Sequence, residues 1–162
     1  HKRIKIKFKQ TKTKIMKTVT IKLYGLNELS TESKERAMDN LYDINMRYEW
    51  WDEVYQDAKN AGIKIKSFQL GKGGEVDIQM VANPMVSARH IIENWSKMSD
   101  GVACSKKYLH DELLPVYEDS LKEVYLVMLE NEQEYLLSED AIEQAIIGND
   151  YWFTEDGLEY KY

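Results

Sequence analysis

The sequence predicts an α+β fold, with a small antiparallel or mixed sheet of three to five strands covered by about five helices. Three observations carry that expectation. Short runs alternate apolar and polar residues with period two, longer runs repeat their apolar residues at three- and four-residue spacing, and Gly, Pro and Ser stand where such runs should begin or end. Apolar residues make up 43% of the 162 residues and Gly plus Pro only ten, which suits a packed core and neither a fibrous nor a disordered chain. The expected organisation is a single α+β domain over 16–162 with an acidic C-terminal half, preceded by a basic tail, 1–15.

In chain order, Ile4, Ile6 and Phe8 alternate with Lys5, Lys7 and Lys9, the pattern of a half-buried strand. Met16 opens a better-behaved sequence, so residues 1–15 read either as an added or upstream-derived extension or as a genuine strand or arm. Val19, Ile21 and Leu23 then alternate with Thr18, Thr20 and Lys22 and stop at Gly25, a strand. Ser30 is an N-cap, and Ala37, Met38 and Leu41 follow helical spacing behind it. A second helix over about 49–61 puts Trp51, Val54, Tyr55 and Ala58 on one stripe and ends at Gly62. Ile63, Ile65 and Phe68, then Val76, Ile78 and Met80, flank Gly71-Lys72-Gly73-Gly74 and make a β-hairpin.

Asn83-Pro84 is an N-cap followed by a proline in the first turn, opening a helix that Ser99-Asp100-Gly101 should end. One long helix over about 106–137, bent near Pro115, is expected next, because proline cannot donate its backbone hydrogen bond. Ser138 caps a last helix ending at Gly148, and 151–160 turn back at Glu155-Asp156-Gly157 as a hairpin or one short strand.

Charge is segregated along the chain. Residues 1–17 hold eight Lys/Arg and no acid, whereas 111–159 hold fifteen acids against the one base Lys122. Such blocks bear on which partners can approach and not on the fold. No apolar run nears the roughly 20 residues needed to cross a bilayer, and the N-terminus lacks the apolar core of a secretory signal. The single Cys104 excludes an intramolecular disulfide framework and a cysteine-based zinc site. A cytoplasmic protein, with no membrane partner, is expected.

A resemblance adds to this. The run Thr18-Val19-Thr20-Ile21-Lys22-Leu23-Tyr24, with Glu28-Leu29-Ser30, Lys34-Glu35-Arg36-Ala37 and 50–58, resembles the opening of small phage and prophage proteins often labelled "antitoxin of toxin-antitoxin stability system". Their C-terminal ends are similar to 134–142 and 149–157 here. The middle departs from that pattern: 68–74 stand where many members carry a Gly-, Ser- and aromatic-rich segment. The resemblance implies a bacterial mobile element as origin and action inside a bacterial cell.

Catalytic chemistry finds little footing in the sequence. His1, His90 and His110 have no zinc-binding spacing, and Asp150, Glu155 and Asp156 lack the fixed oxygen spacing of a calcium loop. Gly71-Lys72-Gly73-Gly74 lacks the Lys-Ser/Thr and helix of a phosphate loop, so a hairpin turn is the better reading. Cys104 with His90 or His110 would make a thiolate–imidazole pair if the fold brought them together. No cofactor and no metal is expected.

The reading these residues favour is a non-enzymatic, phage- or prophage-encoded inhibitor that binds a bacterial nuclease-type target, such as a nuclease, a CRISPR effector or a toxin. Trp50, Trp51 and Tyr55 are the expected anchors, since Trp and Tyr are the usual hot spots of interfaces. Asp111, Glu112, Glu118, Asp119, Glu130, Glu132 and Glu134 are the expected steering surface, imitating nucleic-acid phosphates. Direct nucleic-acid binding is expected only through the basic N-terminal tail. The alternatives are a small cytoplasmic hydrolase or nucleotide-modifying enzyme using Cys104 or His90, and a structural protein that self-associates, for example as a homodimer.

Overall fold

The structure, a computed structural model, describes residues 1–8 and 17–161; the rest of the basic tail and Met16 lie outside them. The fold is α+β, with six α-helices and two two-stranded antiparallel sheets among the described residues. The strands therefore form two separate ribbons rather than one sheet, and each ribbon belongs to a different compact unit. One unit combines 1–48 with 136–162, and the other is 49–135.

In the first unit β1 (Lys2–Phe8) pairs with β2 (Lys17–Leu23), with Lys2 opposite Leu23 and Ile4 opposite Ile21. Past β2, Tyr24 and Phe153 exchange backbone hydrogen bonds of 2.9 Å, and Phe153 also bridges to Glu159. The expected C-terminal hairpin is thus a short turn with one bridging residue. The helix α1 (Thr31–Asn40) starts where Ser30 accepts a hydrogen bond from the Ser33 amide, and α6 (Glu139–Gly148) starts where Ser138 accepts one from Ala141. Leu26, Leu41, Ile44, Ile142, Ile146 and Phe153 form their shared core. Lys34 reaches Glu143 at 2.6 Å alongside it. Gly157, at φ +82°, lies so close to α1 that a methyl group there would overlap the Ser33 carbonyl, so this turn needs glycine for both conformation and space.

In the second unit α2 (Asp52–Asn60) ends at Gly62, whose φ of +72° reverses the chain into β3 (Ile63–Gln69). β3 pairs with β4 (Glu75–Met80), with a bulge between Ile65 and Ser67. The extra residue, Lys66, resets the pleat, so Ile63, Ile65 and Phe68 all face inward despite their uneven spacing. Asn83 caps α3 (Pro84–Asn94) by accepting from the Met85 amide. Ser99 then caps α4 (Asp100–Asp111) rather than ending α3, and Glu112 and Leu113 separate α4 from α5 (Leu114–Leu136). The long bent helix expected over 106–137 is therefore two helices, because Pro115 sits in the first turn of a new helix, where its missing donor costs nothing.

Tyr117, Leu121, Tyr125 and Leu129 recur every fourth residue and bury one face of α5 against Val54, Ile63, Ile65, Val76, Ile91 and Val102. Among the described residues no helix is long and apolar enough to cross a membrane.

Candidate functional site

The three expected anchors converge on one residue of the second unit. Trp50 precedes α2, Trp51 is its N-cap residue, and Tyr55 lies one turn in. Their rings stand 5.8, 5.7 and 6.2 Å from the ring of Phe68, all edge-on, and Trp50 and Trp51 are 5.6 Å apart. Each is half-buried, and burial pushes the Tyr55 phenol above its ordinary pKa. The helix expected from about residue 49 begins later, so Trp50 stands outside it and the two adjacent indoles are not held about 100° apart by helix geometry. Much of this aromatic area therefore roofs the hairpin.

The acidic residues divide by helix geometry. With Tyr117, Leu121, Tyr125 and Leu129 inward, the opposite stripe of α5 carries Asp119, Glu123, Val127, Glu130 and Glu134, all exposed. Glu118 and Glu132 lie nearer the buried face and are half-buried. Asp111 is exposed at the end of α4, while Glu112 beside it is half-buried, with an Oε2 that has no hydrogen-bond partner among the described residues. Asp119 pairs with Lys122 at 3.2 Å; among the described residues Glu123, Glu130 and Glu134 form no ion pair. Glu123 belongs to the same surface although the sequence reading did not select it; its signal is the i, i+4 relation to Asp119.

Carboxylates distant in sequence join this stripe. A groove of about 760 Å³ runs between the hairpin and α5, with Glu75 and Asp77 of β4 on one wall and Asp119, Lys122 and Glu123 on the other. Lys66 reaches Asp77 at 2.9 Å across the exposed face of the hairpin. Glu75 and Asp77 were legible as outward residues of an alternating strand, but not as neighbours of α5.

The stripe from Asp119 to Glu134 spans about 22 Å at 1.5 Å per residue. Four carboxylates over that length give roughly half the linear density of one phosphate per about 3.4 Å in a DNA strand. Asp119 and Glu123, and Glu130 and Glu134, lie about one helical turn apart, within a Debye length of about 8 Å at physiological salt, so the fields within each pair add; about 10 Å separates the two pairs along the helix.

The elements considered for catalysis are placed otherwise. Cys104 is buried and donates to the Gly101 carbonyl at 3.2 Å; desolvation pushes its thiol above the ordinary pKa. Among the described residues no hydrogen bond joins it to a histidine, and His90 Nδ1 instead lies 3.4 Å from the Asn94 amide. Gly71 and Gly73 take φ of +91° and +76°, and Gly74 donates to the Gly71 carbonyl at 2.8 Å, so the glycine run is the hairpin turn. Among the described residues no three His, Cys, Asp or Glu side chains converge to hold a metal ion.

No protein-family model, curated protein or solved structure matches this chain.

Proposed function

We propose that this protein is a non-enzymatic inhibitor, encoded by a phage or prophage, that binds the basic nucleic-acid-binding surface of a bacterial nuclease-type target such as a nuclease, a CRISPR effector or a toxin. The observation that carries the reading is the exposed acidic stripe of α5, continued across the groove by Glu75 and Asp77 of β4. Side chains held on a helix and a hairpin present their charge at fixed positions, which lowers the cost of meeting a complementary surface. Because the stripe is sparser than a phosphate backbone, the imitation is one of field rather than of phosphate-by-phosphate register. The target's channel then recognises a wall of negative potential, and association is fast and salt-sensitive.

The test is affinity capture from nuclease-treated bacterial lysate, with the protein and a D119K/E123K/E130K/E134K variant as parallel baits. The reading is supported if a nucleic-acid-binding protein is retained at low salt, released by high salt or by added duplex, and lost from the variant. Retention that is equal for both baits and indifferent to salt would sink it.

A further inference from the structure

A second cavity of the same unit, about 510 Å³, opens between the start of α4 and the flank of α5. Its apolar residues are Trp95, Met98, Val124, Val127 and Met128, set among the polar Asn94, Ser96 and Ser99, so an entering side chain meets an apolar patch with a polar border. Met98 is 93% exposed and Val127 47%, so two apolar side chains stand in water at its mouth. The floor is rigid. The Trp95 indole is held edge-on to Tyr125 at 5.9 Å and lies over Gly101, where even a methyl group would come within 2.5 Å of the ring.

The surroundings of this pocket say what can enter it. Asp57 and Asp100 are part of the lining, and Glu123 and Glu130 lie one turn to either side of Val127 on α5. The wall segments 94–101 and 123–130 hold a single base, Lys97. A second copy of this face would bring like charges together, and an anionic lipid surface would be repelled in the same way. A cationic partner segment meets the rim favourably, and its apolar side chain meets the methionines, whose flexible thioethers adapt to varied shapes.

We infer that this pocket seats an apolar side chain carried by a Lys/Arg-rich segment of the partner protein, while the surrounding carboxylates receive that segment's cations. This rests on the inhibitor reading and deepens it: the stripe supplies approach, the pocket supplies residence. Such a division is the usual one, with charge governing the on-rate and a desolvated central contact governing the off-rate.

The test uses the full chain and two labelled probes, a short amphipathic Lys/Leu peptide and its Lys/Ser counterpart, read by fluorescence anisotropy at two salt concentrations. The Lys/Leu peptide should bind at least about tenfold more tightly, and M98S/V127S should remove that advantage while leaving Lys/Ser binding unchanged. E123K/E130K should weaken both peptides. Both changes lie at exposed positions, so the fold survives them. Equal binding of the two peptides would overturn the pocket assignment and leave the electrostatic reading standing, whereas absence of binding by both would overturn the two together. A concentration-dependent dimer abolished by M98S/V127S would also overturn it, by making this face a contact between copies of the chain.

Discussion

Ser105 of α4 and Tyr117 of α5 share a hydrogen bond of 2.9 Å in a fully buried part of the core. Tyr108 stacks on the Tyr117 ring at 4.4 Å, nearly parallel, which fixes the phenol's direction. Tyr125, two turns along α5, has a buried hydroxyl with no hydrogen-bond partner among the described residues. Removing one member of a buried pair strands the other and costs about 1–3 kcal/mol, whereas removing an unpartnered hydroxyl strands nothing. Ser105→Ala and Tyr117→Phe should each destabilise by about that amount, and their combination by clearly less than the sum. Tyr125→Phe should be neutral or stabilising. Urea unfolding of the four variants measures all of this, and a destabilising Tyr125→Phe would show that its hydroxyl has a partner.

Burial holds the Tyr117 hydroxyl protonated up to about pH 12, with the Ser105 bond opposing that shift in part. The unfolded chain releases the same proton near pH 10. Below pH 10 both states keep it and the contribution to stability is complete. Between about 10 and 12 the unfolded state binds fewer protons, so stability falls as pH rises. Stability measured from pH 9 to 12 should decline over that window, and Tyr117→Phe should flatten the decline. Tyr125, Tyr55 and Cys104, raised in the same direction by their own burial, add to the slope.

Two glycines separate soft from hard steric limits. At Gly101 a methyl group meets the Trp95 ring, which has some room to tilt; at Gly157 it meets a backbone carbonyl in a left-handed residue. Gly101→Ala should cost about 1–3 kcal/mol, and Gly157→Ala more, since about 1–2 kcal/mol of left-handed strain adds to the overlap. Thermal unfolding ranks them. Gly101→Ala should also weaken the Lys/Leu peptide through the displaced indole, an effect Gly157→Ala should lack.

The thiol of Cys104 is buried, bonded to a carbonyl and raised in pKa. Thiol–disulfide reagents attack the thiolate, so native protein at neutral pH should label orders of magnitude more slowly than protein unfolded in urea. Fast native labelling would mean that α4 opens readily.

Local chemistry explains which elements were readable from the sequence. Ser30, Asn83-Pro84 and Ser138 announce their helices because a cap is a bond between near neighbours. Ser99-Asp100-Gly101 carries contradictory signals, a cap and a stop: Ser99 accepts from the Val102 amide and starts α4, and Gly101 is inside that helix with the Trp95 ring close over it. Pro115 marks the right place but as a beginning rather than a bend. The uneven spacing of Ile63, Ile65 and Phe68 is the trace of the bulge. The acids of α5 were legible as one run, but their partition into outward and inward faces needs the buried stripe. The grouping of Glu75 and Asp77 with α5, and of Met98 with Val127, exists only once the chain is folded.

The division of the chain into 49–135 and a unit built from both flanking segments also sets an order of events during synthesis. The inner segment is complete as soon as residue 135 has left the ribosome, and every residue of its core is then available. The outer unit must wait. Leu26, Leu41 and Ile44 emerge early and have no cover until Ile142, Ile146 and Phe153 are made, so this half of the core is the sticky surface of the nascent chain and the place where a chaperone would be needed.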